Sequence, residues 1–274
     1  MIPYPDIDPT IVRIGPLSVR WYGLMYLLGF LAGYVLVRKQ IKEEGAGDIE
    51  TEYKHLDGLL LSVVLGLVIG ARFGYVVFYN LPYFLSHPDE ILATWHGGMS
   101  FHGGAIGALL GGLIYTKRHK LDFWHWADRF IVTAPVGLGL GRIGNFINGE
   151  LVGRISDVPW AMVFPGEGPM PRHPSQLYEA LFEGLLLFLI LWPLRKRPWP
   201  RGCKLALFLM LYGIFRFVIE FFREPDPQLG FVMWGWVTMG QVLCFFTVLL
   251  GVILWLWCSR HSQAPGKGVP DSSS

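Results

Sequence analysis

Residues 58–78 read Gly58-Leu-Leu-Leu-Ser-Val-Val-Leu-Gly-Leu-Val-Ile-Gly-Ala-Arg-Phe-Gly-Tyr-Val-Val-Phe78, an unbroken apolar run with one charge, Arg72. At about 1.5 Å per helical residue, such a run matches the roughly 30 Å hydrocarbon core of a bilayer. A soluble enzyme breaks its apolar runs far sooner. Four more stretches share this character: Trp21–Val37, Leu177–Leu194, Leu205–Phe222 and Trp236–Cys258. The whole chain agrees with them. Of its 274 residues 52% are apolar and 16% charged, with a mean hydropathy of +0.41, whereas soluble domains carry about 25% charged residues. A soluble protein, a disordered chain and a disulfide scaffold are excluded. The expected fold is an all-α integral membrane protein.

A net charge of +2 and a pI near 8.4 give no basic excess of the kind that binds nucleic acid. Three cysteines make no disulfide framework. The first apolar run is followed by Arg38 and Lys39 rather than by a small-residue cleavage site, so it reads as a span that stays. Two weaker runs remain: glycine-rich Phe101–Thr116, and Ala127–Leu140 with Pro135 inside it. Basic residues concentrate in short cytoplasmic loops, which allows these two to be judged. With seven spans, alternate segments hold fifteen and six Lys or Arg residues, and the loop 80–100 has none. That split supports seven transmembrane helices, with the N-terminus outside and the C-terminus cytoplasmic. Residues 1–260 then form one seven-helix domain, and 261–274 a disordered cytoplasmic tail.

Gly66, Gly70 and Gly74 recur every fourth residue, as do Gly103, Gly107 and Gly111. Small faces of this kind let helices approach closely in lipid, and packing explains them. Ionisable groups within spans call for more, because they are costly unless a partner or a polar site receives them. Arg72 lies about seven residues from the outer end of its run, roughly 10 Å deep. Tyr212, Arg216, Glu220 and Arg223 are spaced to share one helical face. Tyr22, Tyr26, His102, Arg142, Asn145, Asn148 and Glu150 fall near outer helix ends in the same topology. Four helices thus bring unusual polar groups to one depth, the outer leaflet. Blander roles stay open for several of them: interface anchoring for the tyrosines, helix capping for His102, a turn for Asn145 and Asn148, and a structural ion pair for Arg216 with Glu220. Arg142 is harder to explain away, because arginine outside runs against the charge trend and its planar fork suits phosphate. The site expected is one for an anionic lipid head group.

Other chemistry is poorly supported. The histidines have no spaced His, Cys or Asp partners that would make a metal site. Ser175, four residues before Glu179, is adequately explained as a helix cap. No nucleophile elbow is present.

Five stretches together resemble the bacterial phosphatidylglycerol–prolipoprotein diacylglyceryl transferases. They are Trp21-Tyr-Gly-Leu-Met-Tyr26, Gly97-Gly-Met-Ser-Phe-His-Gly-Gly104, Gly141-Arg-Ile-Gly-Asn-Phe-Ile-Asn-Gly-Glu150, Arg172-His-Pro-Ser-Gln-Leu-Tyr-Glu179 and Arg216-Phe-Val-Ile-Glu-Phe-Phe-Arg223. The resemblance runs from about residue 5 to 257 in the family's order, and the Gly141–Glu150 block is its most specific part. It implies a multi-pass enzyme of the bacterial plasma (inner) membrane, active toward the outer leaflet and without a cofactor. Its partners would be phosphatidylglycerol, prolipoprotein signal peptides and membrane lipid. The implied reaction moves sn-1,2-diacylglyceryl from phosphatidylglycerol to a lipobox cysteine thiol, releasing sn-glycerol 1-phosphate. The implied catalytic residues are His102, Arg142 and Arg216. The implied substrate-binding residues are Tyr26, Arg72, Arg142, Asn145, Asn148, Glu150, Gly153, Tyr212, Glu220 and Arg223. An alternative is a secondary transporter of an anionic solute or lipid, although such proteins more often carry repeated halves with broken helices. A retinal protein would need a lysine in the last span, and residues 236–257 contain none.

Overall fold

The computed structural model describes residues 2–5, 7–15, 17–45, 47–93, 97–225 and 230–261. The expected tail beyond His261 lies outside the described residues. In chain order the elements begin with a β-hairpin, β1 (Thr10–Ile14) and β2 (Leu17–Arg20). Helices α1 (Trp21–Glu44), α2 (Ile49–Tyr79) and the short α3 (Leu81–Ser86) follow. A single 3-10 turn (Pro88–Leu92) leads toward α4 (Phe101–Arg118). Next come α5 (Phe123–Ile131) and α6 (Ala134–Asn148). The helix Ser175–Leu194 has three parts: α7 (Ser175–Glu179), a π-helical segment (Ala180–Leu186) and α8 (Leu187–Leu194). Helix α9 (Cys203–Ile219), a hairpin of β3 (Phe231–Met233) and β4 (Val237–Thr238), and α10 (Met239–His261) complete the chain.

Among the described residues four helices are long and apolar enough to cross a membrane: α1, α2, Ser175–Leu194 and α10. Helices α5 and α6, bent by 44° at their junction, supply a fifth if they act together. The count falls short of seven for identifiable reasons. Helix α4 has 18 residues, but its glycines and its Lys117–Arg118 end dilute its apolar character. Helix α9 has 17 residues, about 25 Å of helix, because the chain leaves the helix at Glu220 instead of running on to Phe222. There Phe221 N donates to the Val218 carbonyl and Phe222 N to the Ile219 carbonyl. Arg223 then bridges Gly153 in an antiparallel contact. The expectation of one helical face from Tyr212 to Arg223 is corrected accordingly: Glu220 caps the helix and Arg223 lies beyond it.

The described chain divides into two compact units, residues 38–126 and the remainder. Within the first, the glycine stripes of α2 and α4 meet backbone to backbone. A Cβ added to Gly107 would lie 2.0 Å from the Gly66 carbonyl oxygen, and one on Gly70 would lie 2.4 Å from that of Gly103. The same unit explains Arg72. Its Nε donates to the Ile91 carbonyl (2.7 Å), Nη1 to Gly97 (2.7 Å) and Gly98 (3.0 Å), and Nη2 to Glu90 (2.7 Å) and Ala93 (3.3 Å). The guanidinium therefore fastens the loop ahead of α4 to α2. Ser100 N donates to the Ala71 carbonyl (2.8 Å), and Ser100 Oγ caps α4 by accepting from Gly103 N (3.2 Å).

In the second unit, Val132, Leu187, Leu191 and Phe208 form one buried cluster. Phe146, Val152, Met162 and Phe164 form another under the 150–174 loop. Asp128 accepts from Gly202 N and Leu205 N, both at 2.9 Å, and so closes the start of α9. Helix α6 and the π-helical segment touch through glycine: a Cβ on Gly184 would stand 2.6 Å from Gly139 Cα.

Substituting Gly107→Val forces α2 and α4 apart, and overpacking typically costs about 1–3 kcal/mol or more. The detergent melting temperature should fall by several degrees or the protein should fail to accumulate. Gly137→Ala, where an added Cβ meets nothing within 4 Å, should melt at or slightly above the parent value.

Candidate active site

Three arginines and three glutamates converge in the second unit. Helix α6 carries Arg142, Ser175–Leu194 carries Glu179 and Glu183, α9 carries Arg216 with Glu220 as its cap, and Arg223 follows. Glu179 is the hub. Its Oε2 lies 2.8 Å from Arg142 Nε, and its Oε1 is bonded to Arg216 Nη1 and lies 3.5 Å from Arg223 Nη1. Glu220 Oε2 lies 2.9 Å from Arg216 Nη2, the i,i+4 pair that the sequence spacing suggests. Glu220 Oε1 accepts from Thr238 Oγ1 at 2.9 Å. Glu183 is more distant, 3.8 Å from Arg142 Nη2 and 3.7 Å from Arg216 Nη1. Glu179 and Glu183 are 0% exposed, while the arginine side chains keep 12–20% exposure.

The local fold explains this convergence. A π-helical stretch is rare inside a helix and is frequently found at functional sites. Here it begins after Glu179 and contains Glu183, and both carboxylates turn toward α6 and α9. The missing side chains at Gly139 and Gly184 let α6 come close enough for Arg142, one turn on, to reach the acids. Gly153 is similarly constrained, since a Cβ there would meet Phe222 O at 2.5 Å and His173 Cβ at 2.6 Å. Its N–H donates to the His173 carbonyl (2.9 Å), holding the 150–174 loop near Arg223.

A second polar group adjoins the C-terminus of α6. Tyr22 and Tyr26 share a hydroxyl hydrogen bond of 3.0 Å. Asn145 Nδ2 donates to Glu150 Oε1 at 2.8 Å, and Asn148 Nδ2 donates to the same oxygen at 3.2 Å. Gly149, at φ 68°, ends the helix so that Glu150 can fold back. Tyr22 packs on Gly144 and Tyr26 near Gly141. Tyr212 lies one turn before Arg216 and stacks on Phe208 at 5.6 Å. Burial pushes the His173 imidazole below its ordinary pKa, and its Nδ1 lies 3.0 Å from Tyr178 Oη.

Several sequence expectations change. Ser175 is no cap: its Oγ donates to the Leu151 carbonyl at 3.0 Å, and Pro174 occupies the cap position. Arg72 spends its donors on backbone carbonyls of its own unit, which accounts for that buried charge without a ligand. His102 sits exposed in the first turn of α4, whose cap is Ser100. Glu179 and Glu183 were absent from the expected site. Their signal is present in the sequence, because two acids four residues apart within the run Leu177–Leu194 are as anomalous as an arginine.

Removing Glu179 leaves three guanidiniums without their shared anion. Breaking a buried ionic contact from one side costs about 3–5 kcal/mol. Glu179→Ala should therefore lower the melting temperature sharply in detergent scanning, and more than Glu150→Ala, whose side chain is exposed.

Comparison with known proteins adds independent information. The family model described as prolipoprotein diacylglyceryl transferase matches residues 9–257. A phosphatidylglycerol–prolipoprotein diacylglyceryl transferase of Desulfotalea psychrophila is 57% identical over 259 residues, covering 92% of this chain and 94% of that protein. The enzyme of the same name from Pseudomonas paraeruginosa is 49% identical over 269 residues, covering 98% and 100%. That of Geobacter sulfurreducens is 49% identical over 262 residues, covering 96% and 99%. The chain belongs to the prolipoprotein diacylglyceryl transferase family.

Proposed function

We propose that this protein transfers the sn-1,2-diacylglyceryl group of phosphatidylglycerol to the lipobox cysteine thiol of prolipoproteins. The observation that carries the reading is the convergence of Arg142 and Arg216 on buried Glu179, within a chain similar along its length to enzymes of that name. In the reaction the thiol sulfur attacks the glyceryl carbon bonded to the phosphodiester oxygen. A C–S bond forms and the C–O bond breaks. The electron pair leaves with phosphate as sn-glycerol 1-phosphate, and the thiol proton passes to a base or to solvent. The protein's own thiols, Cys203, Cys244 and Cys258, are buried, and the chemistry does not call on them.

Each residue then has a defined task. Arg142 and Arg216 hold the phosphodiester and offset the charge growing on its leaving oxygen, an electrostatic role. Arg223 and Tyr212 flank the same ligand. Glu179 and Glu220 orient the forks from behind, with Glu220 itself fixed by Thr238. Tyr26, Asn145, Asn148 and Glu150 contribute a neighbouring polar surface, and Gly153 keeps the overlying loop close. His102 is the candidate base for a thiol whose ordinary pKa is about 8.5. The arrangement in the membrane is the one the charge pattern argues for: seven spans, N-terminus outside, and catalysis at the outer leaflet of the bacterial inner membrane. Helices α4 and α9 and the bent α5–α6 pair complete that count.

A lipobox peptide incubated with purified protein and phosphatidylglycerol should gain the diacylglyceryl mass, with glycerol phosphate released in equal amount. An unmodified peptide would refute the assignment. Arg142→Lys should fail nearly as badly as Arg142→Ala, because a point charge does not reproduce the planar fork. Loss of about 2–5 kcal/mol of charge-assisted binding corresponds to roughly thirty- to several-thousand-fold in rate, measured on folded, membrane-inserted protein. Single cysteines in 80–100, 142–176 and 223–235 should react with an impermeant label in intact cells, and those in 195–204 should not.

A further inference from the structure

Glu183 differs from the other acids of the cluster. Glu179 is hydrogen-bonded to Arg216 through one oxygen and ion-paired with Arg142 at 2.8 Å through the other, and Glu220 accepts from Thr238 on one oxygen and is ion-paired with Arg216 on the other. Glu183 is equally buried, yet neither of its oxygens has a hydrogen-bond partner among the described residues. Its two nearest cationic nitrogens stand at 3.7 and 3.8 Å, beyond hydrogen-bond reach. An unsatisfied carboxylate in such a place is expensive, and its position on the π-helical segment of Ser175–Leu194 shows that the fold directs it there. The groups facing it are Glu179 on its own helix, Arg142 on α6, Tyr212 and Arg216 on α9, Arg223 beyond α9, and Cys244 on α10.

Charge balance gives this residue a task. With all six ionised, Arg142, Arg216 and Arg223 are neutralised by Glu179, Glu183 and Glu220, and a phosphodiester would bring one surplus negative charge into an apolar surrounding. A neutral carboxylate in the complex removes that surplus. Protonating Glu179 would sacrifice contacts to three arginines and protonating Glu220 would loosen Arg216, whereas Glu183 has no hydrogen bond to lose. We infer that Glu183 is a positioning residue that takes up a proton when the phosphodiester of phosphatidylglycerol binds, leaving Arg142 and Arg216 the net positive charge that the anion requires. This inference rests on the reading of those arginines as the head-group site. No bond of the lipid is altered in the step: a solvent proton moves to the Glu183 carboxylate as the anion enters.

The test is phosphatidylglycerol binding without acceptor peptide, so that the substrate thiol does not contribute. A short-chain phosphatidylglycerol is titrated onto the full chain in phosphatidylcholine nanodiscs, between about pH 5 and 9. One-proton linkage makes the wild-type Kd rise about tenfold per pH unit on the alkaline side of the Glu183 transition and level off below it. Glu183→Gln keeps the shape and stays neutral, so its Kd should stay near the wild-type acidic value throughout. A flat wild-type profile, or a Glu183→Gln profile parallel to a sloping wild type, overturns the inference. If Glu183→Gln does not fold, calorimetry of the wild type in two buffers of different ionisation enthalpy replaces it. Uptake of about one proton per lipid at the alkaline end is expected, and zero uptake overturns the proposal. Arg142→Ala separates the two failures. If it binds phosphatidylglycerol like the wild type, the head-group reading falls, and the inference with it. If it loses binding while the wild-type profile is flat, only the role of Glu183 falls.

Discussion

Three guanidiniums held against an apolar helix bundle must be neutralised, and much of the site's architecture follows from that need. Glu179 answers it by meeting Arg142, Arg216 and Arg223 with one buried carboxylate. Three chain segments distant in sequence are thereby fixed to a single point. Buried ion pairs are weak evidence for stability, because desolvation offsets much of their attraction. A hydrophobic replacement would bind these helices at least as well. What it would lack is a set of oriented forks with part of each side chain still exposed, which is the property an anionic head group requires.

The backbone is shaped to permit this convergence. Gly139 and Gly184 remove the side chains that would otherwise separate α6 from the π-helical segment, and that segment carries Glu183 toward the same arginines. Thr238 and Gln241 lie at the junction of β4 with α10. Gln241 Oε1 accepts from Thr238 N at 3.0 Å while Thr238 Oγ1 holds Glu220. Glu220 is thus pinned from behind, Glu179 is bonded to the arginines themselves, and Glu183 is left without a hydrogen bond. The contrast between pinned and unpinned acids within one cluster suggests a division of labour between orientation and charge adjustment.

Arg72 illustrates how the same chemistry serves another end. It too is an arginine in a long apolar helix, and sequence alone gives no reason to treat it differently from Arg216. In the unit that contains it, carbonyls from Glu90 to Gly98 satisfy its donors. Carbonyls are neutral, so this charge is solvated by dipoles and shapes a loop, whereas Arg216 is compensated by carboxylates. The loop so held leads into Ser100 and the first turn of α4, where His102 resides.

Composition and run length established by themselves that the chain is a helical membrane protein, because burying backbone polar groups in lipid leaves few alternatives. They also flagged the glycine stripes, whose small faces allow close helix packing, and the pairing of Arg216 with Glu220, a matter of one helical turn. The local motifs Gly141–Glu150 and Arg216–Arg223 pointed to the family before any fold was in view. Tertiary structure decided the rest. It ended α9 at Ile219, since the pull on Arg223 comes from Gly153, about seventy positions away in sequence. It placed Glu179 and Glu183 among the arginines, since a π-helical turn and a glycine contact between two helices leave no periodic trace. It gave Arg72 its carbonyls, since a guanidinium does not reveal in sequence whether an anion or a loop will receive it. Periodicity reports which face a residue occupies; only packing determines what that face meets.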